Sequence, residues 1–138
     1  MTATGIPLRD LHLAWPSLWP LLEPAVKRTP DKPDVLAQLI AREAQLWAVY
    51  DGQEPIAAIV TQVTIDPAGK RCRLWLIGGS HLDDWVTELL GKLEPWARSL
   101  GCVALWGCGR EGWQRIVKRM GGRSLGTIAG FPAWERRL

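Results

Sequence analysis

Cys108 sits between Gly107 and Gly109, just ahead of a segment with helical spacing. A thiol at a helix start has its thiolate favoured by the helix dipole, which makes Cys108 a reasonable nucleophile. His81, the one mid-chain histidine, is the base such a thiol would need. A loop cysteine and a solvent-facing histidine remain the stronger expectation, because nothing in the sequence pairs the two. Arg110, Arg115, Lys118, Arg119 and Arg123 form the densest charge cluster. Such a cluster suits either a phosphate backbone or a solvated helix face whose cations favour the helix C-terminus. A net charge of only +3 favours the solvated face, so nucleic acid is not an expected partner. Two histidines and scattered carboxylates show no metal-ligand spacing, and there is no Walker pattern.

The 138 residues suffice for one domain with a real core, and 47% of them are apolar. Balanced charge and this apolar content exclude a disordered chain. Three cysteines without a CxxC pair argue against a disulfide framework or a zinc ribbon. Leu11–Leu22 is too short and Pro-interrupted to span a bilayer, and no signal-peptide pattern opens the chain. A cytoplasmic location, away from membranes, is expected. Nine tryptophans exceed the single Tyr and Phe; most should fill the core, and some could line a groove. Residues 110–138 hold seven basic residues against two acidic, a local excess that could draw an anionic partner.

Residues 1–30 read as a Pro-interrupted helical start, because Pro16, Pro20 and Pro24 each remove a helical hydrogen bond. A helix is expected from Asp31-Lys32-Pro33-Asp34, burying Val35, Leu36, Leu39 and Ile40. Leu46–Tyr50, Ile56–Ile65 and Arg71–Ile77 then predict a three-strand antiparallel meander. In the third strand Cys72, Leu74 and Leu76 should share one face, with Arg71, Arg73 and Trp75 on the other. The period changes at Leu82, and Leu82–Leu100 predicts one long helix, bent near Gly91–Pro95. Ser80 with Asp83 has the spacing of a capping box at its start. A short strand at Cys102–Trp106, a helix over Gly112–Met120, and strands at Ser124–Ala129 and Ala133–Glu135 complete a single α/β domain.

This order, with the texture of Leu74–Gly122, resembles the GNAT superfamily of acetyl-CoA-dependent N-acyltransferases. Gly109-Arg110-x-Gly112-Trp113-x-Arg115 followed by Gly121 further resembles the GNAT-like proteins of phage and prophage gene clusters, some of them virion components. The resemblance implies a mixed, mostly antiparallel sheet flanked by helices. It also implies a coenzyme A pyrophosphate held on backbone amides at the start of the long helix, here Gly78, Gly79 and Ser80. The family's Gln/Arg-x-x-Gly-x-Gly/Ala spacing is missing from Ile77-Gly78-Gly79-Ser80-His81, and Asp83 and Asp84 place negative charge where the phosphates would lie. Where many members carry a Tyr acid, Val117 stands; their usual Asn and small residue correspond to Arg110 and Trp113. Val117 cannot donate a proton, and neither Glu43 nor Glu54 is placed as a base.

The expectation is therefore a GNAT-fold protein with a degenerate acyl-CoA site and no assigned catalytic residue. It would act as a binding or assembly module that needs no cofactor and meets a protein partner or a second copy. The alternative is an N-acyltransferase in which Gly78, Gly79 and Ser80 still hold acetyl-CoA.

Overall fold

A computed structural model describes residues 1–109, 116, 118–128 and 130–138. The chain opens with strand β1 (Thr2–Gly5), then helices α1 (Leu11–Lys27) and α2 (Val35–Ile40). The meander follows as β2 (Gln45–Asp51), β3 (Glu54–Asp66) and β4 (Gly69–Gly79), leading into α3 (Leu82–Ser99). Strands β5 (Ala104–Cys108), β6 (Arg123–Ile128) and β7 (Phe131–Arg137) complete one seven-stranded sheet, ordered β1-β2-β3-β4-β5-β7-β6. Every neighbouring pair is antiparallel except β4 with β5. The expected α/β sheet, mostly antiparallel and flanked by helices, is what the chain forms.

The sheet separates two cores. Trp47, Ile59, Cys72, Leu74 and Leu105 meet Trp85, Leu89 and Leu93 of α3 on one face. Leu46, Ala58, Val60 and Leu76 meet Leu18, Leu22 and Val26 of α1, with Val35 and Leu39 of α2, on the other. Each fully buried side chain of this size contributes roughly 1.5–3 kcal/mol. None of the described helices is long and apolar enough to cross a membrane.

Several sequence expectations need correction. The first thirty residues include a strand, β1, paired with β2. They then form one continuous helix through Pro16, Pro20 and Pro24 rather than separate turns. Four-residue spacing puts all three prolines on the exposed face, opposite buried Leu18, Leu22 and Val26. The carbonyls they leave unpaired can therefore meet water, and a helix curved with its convex side to solvent tolerates this. Helix α2 begins later than expected, with Asp34 as its cap accepting from the Ala37 amide at 3.0 Å, and Ile40 is exposed. Helix α3, by contrast, is the single long helix expected, running unbroken past Pro95. The helix expected over Gly112–Met120 lies mostly outside the described residues, although Ile116, Lys118 and Arg119 are helical.

At Gly78 the backbone of α1 comes so close to β4 that a Cβ would run into the Leu21 carbonyl. Both contacting groups are backbone, so neither can turn aside. Gly78→Ala is expected to cost at least 1–3 kcal/mol by overpacking, read as a lowered midpoint in urea denaturation. An unchanged midpoint would mean that α1 does not sit this close to β4.

Candidate functional site

The site begins with an irregularity in β4. Val60 pairs with Leu76 but Thr61 pairs with Leu74, so Trp75 is an extra residue, a β-bulge. A bulge breaks strand alternation. Cys72 and Leu74 face α3, whereas Leu76 faces α1, so the uniform face expected for these three residues does not exist. Beside the bulge, β4 and β5 pair only from Arg71–Arg73 to Ala104–Trp106 and then part. From Leu74 onward β4 has no strand partner on that side among the described residues. A cleft of about 410 Å³ fills the gap. Leu74–Ile77 of β4, Cys108 and Gly109, and Phe131 and Trp134 of β7 line it. Arg28 and Asp31 close it from beyond α1, and Gln62 and Arg73 from the sheet. A larger hollow of about 650 Å³ lies between Leu8, Leu39, Val63 and Trp96. The interrupted strand pairing lies at the smaller one, which makes it the candidate site.

Below the cleft, four strands are tied by one row of side chains. Arg73, Trp106, Glu135 and Arg123 stand in register on β4, β5, β7 and β6. Arg71 reaches across β5 to Glu135 at 3.1 Å and back to Asp66 at 2.7 Å. Arg123 holds the other Glu135 oxygen at 2.9 Å. The guanidiniums of Arg71 and Arg73 lie 4.8 and 5.2 Å from the Trp106 ring centroid, a cation–π arrangement. Trp106 Nε1 donates to Thr64 Oγ1 at 3.0 Å. Burial pushes the Glu135 carboxyl up, but hydrogen bonds from Arg123 and Arg71 outweigh it and hold it below the usual carboxylate range. The Arg71 hydrogen bond does the same for Asp66, against a smaller opposing effect of burial.

At the start of α3, where the family resemblance implies that Gly78, Gly79 and Ser80 would hold a pyrophosphate if acetyl-CoA binds, both backbone groups of Ser80 have protein partners. Only Ser80 and His81 separate β4 from α3. The Ser80 amide donates to the Ile56 carbonyl at 3.1 Å, and the Ser80 carbonyl accepts from buried Trp85 Nε1 at 2.7 Å. Gly79 has φ +118° and would drive a Cβ into Ile56 and Ala57. The capping box does not form. His81, in left-handed conformation (φ 60°), occupies the cap position without a side-chain cap bond, while Asp83 reaches Arg119 at 3.2 Å. His81 faces Asp84 at 3.6 Å rather than Cys108.

The thiols differ in setting. Burial pushes Cys72 up to about 12, with Cys102 nearby adding to the effect and a Thr61 hydrogen bond opposing it. Burial also raises Cys102, partly offset by Lys70. Cys108 is half-buried on the cleft wall. No group of three metal-ligating side chains gathers among the described residues. Of the basic cluster, Arg119 is paired with Asp83, Arg123 belongs to the Glu135 row and Lys118 is exposed. Arg110, Gly112, Trp113, Arg115 and Val117 lie outside the described residues. Sequence reading missed the cleft residues Arg73, Gln62 and Trp75. An arginine and a tryptophan alternating on a strand gave no sign that the strand bulges there.

No protein-family model and no curated protein matches the chain. Solved structures do. A GNAT family acetyltransferase from Elizabethkingia anophelis with acetyl-CoA bound superposes with a TM-score of 0.68, at 13% identity over 99% of this chain and 97% of that one. The chain has the GNAT fold. The PaiA N-acetyltransferase of Thermoplasma acidophilum, in complex with coenzyme A, gives 0.67 at 12% identity with both chains fully covered. An agmatine N-acetyltransferase gives 0.72 at 9% identity over 99% of each chain.

Two predictions follow from this geometry. Because Glu135 has a lowered pKa when folded, its contribution is fully present above the ordinary carboxylate range and is lost as pH falls through the folded value. Glu135→Gln should cost about 3 kcal/mol near neutrality, the low end for a broken buried pair, since Arg71 keeps Asp66. Urea titrations from pH 7 to pH 3 should show that deficit shrinking as the wild type loses its own advantage. A constant deficit would mean that charge is not what Glu135 contributes. Ellman's reagent at pH 8 should label one thiol of the native protein quickly, Cys108, and the other two only on unfolding. Rapid labelling that survives Cys108→Ser would contradict the assignment.

Proposed function

We propose that this GNAT-fold chain is a non-catalytic binding or assembly module whose ligand site is the β4–β5 cleft. The engagement of both backbone groups of Ser80 carries the reading. An anion at a helix start needs free, convergent amides. Here the connection is two residues long, the Ser80 amide is taken by β3, and His81 adopts a strained left-handed conformation. Asp83 and Asp84 add charge of the wrong sign in the first helical turn. These residues do not fit a coenzyme A diphosphate, so no cofactor is assigned and no acyl-transfer step is derived.

The phage or prophage setting suggested by the Gly109–Gly121 texture belongs to the same proposal, as does a protein partner or second copy. Capsid or tail genes beside this one would support that setting. The other reading is an acetyl-CoA-dependent N-acyltransferase, favoured by the open cleft and by neighbours solved with coenzyme A or acetyl-CoA. In that reading Gly78, Gly79 and Ser80 keep their place at the cofactor; in either reading the setting is the cytoplasm, or the host cytoplasm or virion if the chain is phage-derived.

Calorimetry with coenzyme A and acetyl-CoA separates the two. Binding no tighter than about millimolar, near −4 kcal/mol, is expected. Saturable micromolar binding, or acetylation of an amine panel above the spontaneous rate, would overturn the non-catalytic reading.

A further inference from the structure

We infer that the β4–β5 cleft takes a small anion with a flat apolar body, and that Arg73 holds its charge. The inference rests on reading the cleft as the binding site, and it adds the class of ligand.

Counter-ions set Arg73 apart from Arg71, Arg123 and Arg136. Arg71 has Asp66 and Glu135, Arg123 has Glu135, and Arg136 has Glu94 at 2.7 Å. Among the described residues no carboxylate reaches Arg73. Its guanidinium rests on the Trp106 ring and makes one long hydrogen bond, 3.4 Å, to Gln62 Oε1. Its Nε is buried and has no hydrogen-bond partner. A guanidinium offers five donors in a rigid planar fork, so most of this fork is unsatisfied at the cleft wall. The fork is also held in place. Gln62 Nε2 donates to Gln38 Oε1 of α2 at 2.8 Å, which leaves the Gln62 oxygen for Arg73.

Around this charge the walls are apolar and aromatic, from Trp75, Leu76, Phe131 and Trp134. Asp31, the one carboxylate among the described lining residues, is exposed at the rim. A carboxylate or phosphate monoester on a one- or two-ring body satisfies both features: a bidentate anion for the fork and a flat surface for the indoles. A protonated amine of the same shape would instead meet an uncompensated cation.

The test is a set of ¹⁵N-detected NMR titrations with 2-naphthoate, 2-naphthyl phosphate and 2-(aminomethyl)naphthalene, which share a body and differ in charge. At least one anion should move the Trp75 and Trp134 indole N–H signals saturably, and the amine should bind at least about tenfold more weakly. Arg73→Gln should weaken the anion about tenfold or more, and Arg73→Lys, which keeps the charge without the fork, should restore part of the loss. Both variants should melt as the wild type does; if Arg73→Gln does not, Arg73→Lys and the three-probe comparison on wild type decide. Equal binding of amine and anion, no anion binding at millimolar concentration, or affinity untouched by Arg73→Gln would overturn the inference. Coenzyme A in the same titration reports separately: its tight binding would refute the non-catalytic reading and leave the charge preference to stand or fall on the naphthyl series.

Discussion

Glu135 holds this sheet together at its weakest joint. Strands β4 and β5 share only three residue pairs, and a parallel pairing that short contributes little by itself. Arg71 passes over β5 to reach Glu135 on β7, and Arg123 reaches the same carboxylate from β6. Trp106 lies between as the surface on which the Arg71 and Arg73 guanidiniums rest. A buried carboxylate in an apolar interior would be costly. With hydrogen bonds from two guanidiniums it remains ionised and ties the β5–β7 half of the sheet to the meander. The strands can part above this row because they cannot part at it.

Parting needs a second constraint, and the Trp75 bulge supplies it. The extra residue switches the faces of β4 between Leu74 and Leu76, so the strand packs against α3 below the bulge and against α1 above it. Gly78 then lets α1 approach the strand backbone directly. The cleft is thus fixed from three sides: the ion pairs at its base, the bulge in one wall and α1 against the end of that wall. Arg73 sits where these constraints meet. It belongs to the row by register and to the cleft by exposure.

The fold was largely legible because it depends on period and punctuation. The change from alternation to helical spacing at Leu82, and the turns at Asp51-Gly52 and Asp66–Gly69, survive any local surprise. The misreadings have a common origin. Proline rules describe a helix with no preferred side, whereas α1 places all three prolines toward solvent. A capping box describes a helix approached by free chain, whereas α3 is approached by a strand still bonded to its neighbour through Ser80. A bulge leaves no mark on Cys72-Arg73-Leu74-Trp75-Leu76, because the pattern is defined relative to a partner strand that the sequence does not display. The site was less legible than the fold because it is made of these departures.

Glycine carries the most consequential ambiguity. A glycine pair at the end of a strand signals close approach of a backbone, but not what approaches. In an anion site it is a ligand; at Gly78 and Gly79 it is α1 and β3. On the side that a Cβ would occupy, the approach at these two glycines is filled by protein. Cleft and anion cradle are independent globally: the cleft depends on the bulge and the Glu135 row, while an anion cradle depends on the length and free amides of the β4–α3 connection. A chain can therefore join β4 to α3 through Ser80-His81 alone, use the Ser80 amide to extend the bonding to β3, and keep the cleft intact. What the cleft then accepts depends on its own walls, where Arg73 has no carboxylate partner among the described residues.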